Sequence, residues 1–198
     1  MLWRGQPGVS VSAWRENHRV ASAGQARDSG DRMPGEQDLE SPEGVPGPSS
    51  LLRDERTLVL ATADPGPWSA PVYFLHLRGR LLFFSSPESR HVRGALASGR
   101  CAGSIHRASA DWREIVGLQM DGRLEEVPEG PGAHEAFAAY VGKFPTVKDL
   151  LPGVALDLPT FTARLRARMY AFVPERVFLV DNRAGITGRR EIQLPEEP

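Results

Sequence analysis

The chain has 198 residues, with 24 Lys and Arg against 25 Asp and Glu; a formal net charge of −1 gives no global positive field for nucleic acid or an anionic membrane surface. A single cysteine, Cys101, excludes an intrachain disulfide and a cysteine-rich metal site. No apolar run reaches the roughly 20 residues of a membrane helix, and the N-terminus lacks the apolar core of a signal peptide, so the expected location is cytoplasmic.

Residues 1–50 are rich in Gly, Pro, Ser and charge, as in "ASAGQARDSGDRMPGEQDLESPEGVPGPSS", and their apolar residues follow no period. Such a segment buries too little surface to offset its ordering entropy and is predicted to be disordered. Met33 within it offers a second start for translation. One folded domain is expected over residues 51–194.

From Leu51 the pattern sharpens. "TLVLATAD" (57–64) reads as a strand closed by the turn cluster Asp64-Pro65-Gly66-Pro67. "SAPVYFLHLRG" (69–79) and "RLLFFSS" (80–86) read as two strands around a tight turn at Arg78-Gly79-Arg80. A helix opened by Ser89 follows, with Val92, Ala95 and Leu96 on one face and Gly99 as its stop. "CAGSIHRA" (101–108) and "EIVGLQMDGRLEEV" (114–127) are further strands, the second with Val116, Leu118, Met120 and Leu124 in alternation. After Pro131, the spacing of Phe137, Tyr140, Val141 and Phe144 predicts a helix; Pro145 interrupts it, and "TVKDLL" suggests a short second one. "RARMYAFVPERVFLVDN" (166–182) is expected to give two strands around Pro174-Glu175, and "GITGRREIQL" (185–194) a final edge segment. Short strands in hairpin-like succession exclude repeated βαβ units. The expected fold is mainly β (α+β): an antiparallel barrel decorated by helices.

"LLFFSSPESRHVRGAL" (81–96) carries the chemistry. A helix N-terminus favours acidic neighbours, yet Arg90, His91 and Arg93 crowd the first turn here. An anion resolves the conflict. Free first-turn N–H groups, the hydroxyls of Ser85 and Ser89, and the Arg90 and Arg93 guanidinium groups together form a phosphate cradle, and His91 offers a ring nitrogen. The competing reading is a solvated basic face with Ser89 as a plain N-cap.

This stretch resembles the phosphate-binding segment of the pyridoxamine phosphate oxidase-like, FMN-binding split-barrel superfamily, in which an apolar strand ends in small hydroxyl residues and a Ser-Arg-Lys-type helix start follows. "DGRLEEV" resembles the glycine-bearing strand of that superfamily and its exit, while "AYVGKFPTVKDLL" and "VFLVDNRAGITGRREIQL" resemble a small bacterial branch of it. The resemblance implies a split barrel in which Ser85, Ser89, Arg90 and His91 surround a flavin phosphate, with Arg93 in a second rank. His91 stands where the family often has lysine, which makes the charge there pH-dependent. Pro71, Val72, Tyr73 and Phe74 would line the isoalloxazine, although barrel core is the more natural place for at least one of Tyr73 and Phe74.

The resemblance further implies a homodimer with FMN at the subunit interface, passing hydride or electrons to a small-molecule substrate, with a nicotinamide as possible donor. The alternatives are a non-catalytic haem- or flavin-binding carrier, with His91 or His106 as axial ligand, and a deazaflavin-dependent reductase. The C-terminal "VDNRAGITGRREIQLPEEP" lacks the Trp region and the spacing of the true oxidases, so pyridoxamine phosphate is not the expected substrate. Asp181, Asn182, Arg183 and Arg189 fit an exposed polar strand better than a pocket. His76, His91, His106 and His134 are dispersed, with no metal-ligand spacing.

Overall fold

The structure, a computed structural model, describes residues 47–185 and 188–196. The expected N-terminal disorder falls almost wholly outside them, and Ile186 and Thr187 of the final edge segment also lie outside. In chain order the elements are α1 (Pro48–Asp54), β1 (Thr57–Thr62), β2 (Trp68–Tyr73), β3 (Leu75–Leu77), β4 (Arg80–Ser85), α2 (Arg90–Ser98), β5 (Cys101–His106), β6 (Val116–Glu126), α3 (Pro131–Lys143), α4 (Leu158–Leu165), β7 (Arg168–Asp181) and β8 (Arg189–Ile192). Short 3-10 turns occupy Trp112–Glu114, Pro145–Leu150 and Asn182–Ala184.

All strands join one antiparallel sheet in the order β2-β1-β5-β6-β7-β4-β3, with β8 added to the far half of β7. The two outermost strands, β2 and β3, are consecutive in sequence, separated only by Phe74. The sheet therefore has to curl until its edges approach each other, which makes it a split barrel, as expected from the sequence. The single strand expected over 69–79 is thus two: the chain leaves β1 after Tyr73 and joins β4 from Leu75.

Alternation sorts the side chains onto two faces. Leu58, Leu60, Leu81, Phe83, Leu118, Met120, Tyr170 and Phe172 fill the barrel interior. Two helices close it at opposite ends of β1: α1 contributes Leu51 and Leu52, and α2 contributes Val92 and Ala95. The outer face of β4 and β7 (Leu82, Met169, Ala171) carries a second core built from Ala136, Phe137, Tyr140, Phe144 and Phe161 of α3, its C-cap and α4. Leu96, expected on the buried face of α2, is exposed; Gly94 takes the inner position instead. A Cβ at Gly94 would lie 2.3 Å from the Asp64 carbonyl oxygen, so only glycine lets α2 seat this close to the β1–β2 loop.

Two strands were expected around Pro174, but β7 runs unbroken over 14 residues. Asp121 pairs with Arg176 and Gly122 with Pro174, leaving Glu175 as the extra residue of a β-bulge. A bulge is where a strand tolerates a missing N–H donor. Gly122 is required opposite it, because a Cβ there would sit 2.1 Å from the Val173 carbonyl oxygen.

Candidate functional site

The segment from Ser85 to Arg93 folds as its composition suggests. Ser85 ends β4, Pro87 turns the chain, Ser89 is the N-cap of α2, and Gly99 terminates the helix in the left-handed conformation at φ 68°. Ser89 does not cap its own helix: its hydroxyl makes no bond to a first-turn N–H. It turns instead toward Ser85, whose Oγ lies 3.1 Å away. The His91 Nε2 completes the cluster, 2.9 Å from the Ser85 Oγ and 3.4 Å from the Ser89 Oγ. Burial pushes the His91 pKa below its ordinary value, so the ring is neutral near pH 7.

No acidic residue occupies the first turn of α2. Arg90 forms no ion pair among the described residues; its guanidinium lies over the Trp68 ring, 4.5 Å from the centroid. Arg93 is drawn to Glu88 at a loose 3.9 Å and both side chains are well exposed, so Arg93 stands apart from the serine–histidine cluster. The first-turn N–H groups are thus uncapped by a side chain and flanked by one unpaired cation, two hydroxyls and a neutral imidazole. That set can hold an anion through charge-assisted hydrogen bonds.

The β2 residues divide. Phe74 is fully buried, with the Lys143 Nζ 4.1 Å from its ring centroid; its side chain belongs to the core and offers no wall to a ligand. Val72 packs against the same interior. Tyr73 is 58% exposed, its ring stacked on Phe144 at 5.0 Å. Pro71 has no N–H, so the Val59–Pro71 pair is not hydrogen-bonded, and alternation turns the backbone groups of Ser69, Pro71 and Tyr73 away from β1. The Phe74 N–H bond to the Arg56 carbonyl fits this phase. β2 therefore presents a free polar edge, partly covered where the Tyr140 hydroxyl donates to the Tyr73 carbonyl at 3.5 Å.

Three neighbours of the cradle were not singled out in the sequence. Trp68 seats Arg90, although 22 positions separate them, and no local pattern announces the contact. Arg168 faces Ser85 across the β4–β7 pair and is held by Glu126 at 2.9 Å. Tyr170 is fully buried beside Phe83, at 5.9 Å between ring centroids, and its hydroxyl has no partner among the described residues.

The remaining sequence candidates are engaged elsewhere. Asp181 and Arg183 pair at 2.7 Å within one turn, the Asn182 side-chain amide donates to the Trp112 carbonyl, and Arg189 lies over Phe178. Burial pushes the Cys101 thiol up to about 12, which leaves it an inert apolar group at neutral pH. His76 is buried inside the barrel; desolvation, reinforced by the Lys143 charge, lowers its pKa to about 4. Among the described residues no cluster of His, Cys, Asp and Glu is arranged for a metal, and no helix is long and apolar enough to cross a membrane.

The comparisons with known proteins agree with this architecture. No curated protein matches the chain. Among solved structures, a haem-binding protein from Mycobacterium smegmatis is 20% identical with a TM-score of 0.54, over 75% of this chain and 58% of that one. HutZ, the haem storage protein from Vibrio cholerae, is 17% identical with a TM-score of 0.52, over 65% and 89%. ChuZ from Campylobacter jejuni is 11% identical with a TM-score of 0.56, over 72% and 56%. The chain thus spans little more than half of the Mycobacterium and Campylobacter proteins, and at such identities the likeness is one of fold. The sequence model described as pyridoxamine 5'-phosphate oxidase matches residues 49–179, which include the interior core, both closing helices and the whole cradle. With more than half of its length matched, the chain belongs to the pyridoxamine 5'-phosphate oxidase family.

Proposed function

We propose that this protein binds FMN, with the phosphate at the N-terminus of α2 and the ring along the free edge of β2, and that it is a homodimeric oxidoreductase acting on a small substrate other than pyridoxamine phosphate. The observation that carries the reading is the unpaired Arg90 beside the Ser85–Ser89–His91 cluster, at a helix start with no acidic residue in its first turn. Ser89 forgoes a capping bond worth about 1 kcal/mol, and an anion supplies the missing acceptor. The donor set fits a phosphate: fixed N–H groups, two hydroxyls and a planar guanidinium fork.

When bound, a flavin supplies the hydride or electron chemistry through its ring. The chain's own contribution is binding and orientation. Arg90, held against Trp68, supplies charge without having to be ordered from solvent. Ser85 and Ser89, whose hydroxyls now face each other, would offer them to the phosphate oxygens. The outward N–H and carbonyl groups of β2 offer hydrogen bonds to a polar ring edge, and Trp68, 43% exposed, offers an aromatic face. A second copy of the barrel would shield these exposed groups from water.

Titration of the purified protein with FMN, followed by quenching of flavin fluorescence, tests the reading. Binding in the micromolar range or tighter is expected. Arg90→Ala removes a charged hydrogen-bond donor worth about 1.5–3 kcal/mol, a loss of roughly tenfold to a hundredfold. Unchanged affinity in that variant, or no uptake by the wild type, would refute it.

Haem is the second reading, favoured by the neutral, half-buried His91 ring lying 6.3 Å from Phe83 and by the names of two structural neighbours. A Soret band on haem titration that vanishes in His91→Ala would establish it. A deazaflavin coenzyme would use the same phosphate cradle and is distinguished by titration alongside FMN.

A further inference from the structure

A cavity of about 470 Å³ lies between α3, α4 and the adjoining ends of β6 and β7, on the outer side of the sheet. None of the expected cofactor residues lines it. Its floor is apolar, formed by Val127, Ala133, Leu158 and Met169, and the volume is ordinary for a small-molecule site. Pro87 and Arg168 also line it. Pro87 belongs to the cradle loop, and Arg168 is the cross-strand partner of Ser85, so the cavity and the cradle share a wall.

The charges on the rim are unequal in their engagement. Arg168 is paired with Glu126 at 2.9 Å, and Glu129 leans toward His134 at 3.8 Å. Arg166, which also lines the cavity, makes no ion pair or side-chain hydrogen bond among the described residues. Its backbone is unusual as well: it is the C-cap of α4 in the left-handed conformation, φ 50° and ψ 40°. Glycine is the low-cost residue there, as Gly99 illustrates at the end of α2. A favourable interaction of a terminal cation with the helix dipole accounts for a positive charge at this end, but not for choosing the left-handed position to hold it.

We propose that this cavity is a binding site for a small organic acid with an apolar body, whose anionic group is taken by Arg166 while the body fills the space over Leu158 and Met169. The site is distinct from the cofactor cradle and does not depend on which cofactor the cradle holds. Because Pro87 and Arg168 are common to both walls, occupancy of one is positioned to affect the other.

The amphipathic aromatic sulfonate 8-anilinonaphthalene-1-sulfonate serves as probe, with binding measured by calorimetry and fluorescence on the native full chain and folding checked by urea titration. Saturable one-to-one binding is expected. Arg166→Gly should weaken it at least tenfold while leaving the urea midpoint unchanged or raised, because the left-handed backbone is relieved. Glu129→Gln, which removes a nearby negative charge, should tighten it severalfold. Ala163→Trp, which fills the space, should abolish it. Absence of saturable binding to the folded protein, or binding indifferent to both Arg166→Gly and Ala163→Trp, would overturn the proposal.

Discussion

Adding one methyl group to Gly94 tests both the fold and the cradle. In an open helix interior, Gly→Ala stabilises by up to about 1 kcal/mol. At Gly94 the new Cβ would stand 2.3 Å from the Asp64 carbonyl oxygen and 3.2 Å from the Thr62 Oγ1. The first contact is roughly 1 Å inside van der Waals distance, and its partner is backbone, which cannot rotate away. Either α2 or the Asp64 loop must shift, at the roughly 1–3 kcal/mol typical of overpacking, so the expected net effect is a destabilisation of about 1–2 kcal/mol. Equilibrium urea unfolding reads this as a midpoint lowered by about 0.5–1 M for an ordinary urea slope. Gly142, near the end of α3, is the control: a Cβ there meets nothing within 4 Å, and Gly142→Ala should raise the midpoint. Because α2 carries the cradle at its N-terminus, Gly94→Ala should also weaken FMN binding while Gly142→Ala leaves it intact. If the two alanines shifted the midpoint in the same direction, α2 would not be seated closely against the Asp64 loop.

Three further outcomes are expected. Folding places His76 in the barrel with a pKa of about 4 against 6.5 unfolded, so the unfolded chain binds the extra proton. As pH falls from 6.5 toward 4, His76 should cost up to ~3 kcal/mol of stability, and His76→Gln should flatten that part of the urea-midpoint profile. The pKa of His91 lies below the ordinary value before an anion arrives, and a phosphate beside the ring favours its charged form. FMN affinity should therefore rise as pH falls toward the lowered His91 pKa, and His91→Lys should remove most of that slope in fluorescence titrations. Lys143 donates to the Leu52 carbonyl at 2.9 Å near the end of α1, so Lys143→Met should lower the urea midpoint by the equivalent of about 1–2 kcal/mol and speed amide exchange in α1.

Elements whose signal is local were legible in the sequence. The alternation over most of β6, the i, i+3, i+4, i+7 spacing in α3, and the Ser89 and Gly99 boundaries of α2 all survive folding. What escaped depends on distant partners or on short signals. Pro174 interrupts strand propensity, yet Gly122 across the ladder lets a bulge absorb it. The break between β2 and β3 arises because the sheet closes on itself at Phe74, and no residue there forbids a continuous strand. α1 and α4 are seven and eight residues long, too short for a periodic signal. α4 did leave a readable trace, since the Asp157 side chain caps it by accepting from the Thr160 N–H. At the site, the contiguous cradle residues could be picked out together. Trp68, Arg168 and Tyr170 could not, because sheet register and helix docking bring them there from elsewhere in the chain.

The proposed site places a mononucleotide's phosphate at the N-terminus of α2. Parallel titrations with FMN and riboflavin, which differ only in that phosphate, test it most directly. FMN should bind at least thirtyfold tighter than riboflavin, and Arg90→Ala should shrink most of that gap by weakening FMN alone. Equal affinity for the two flavins, or a gap that survives Arg90→Ala unchanged, would contradict the account.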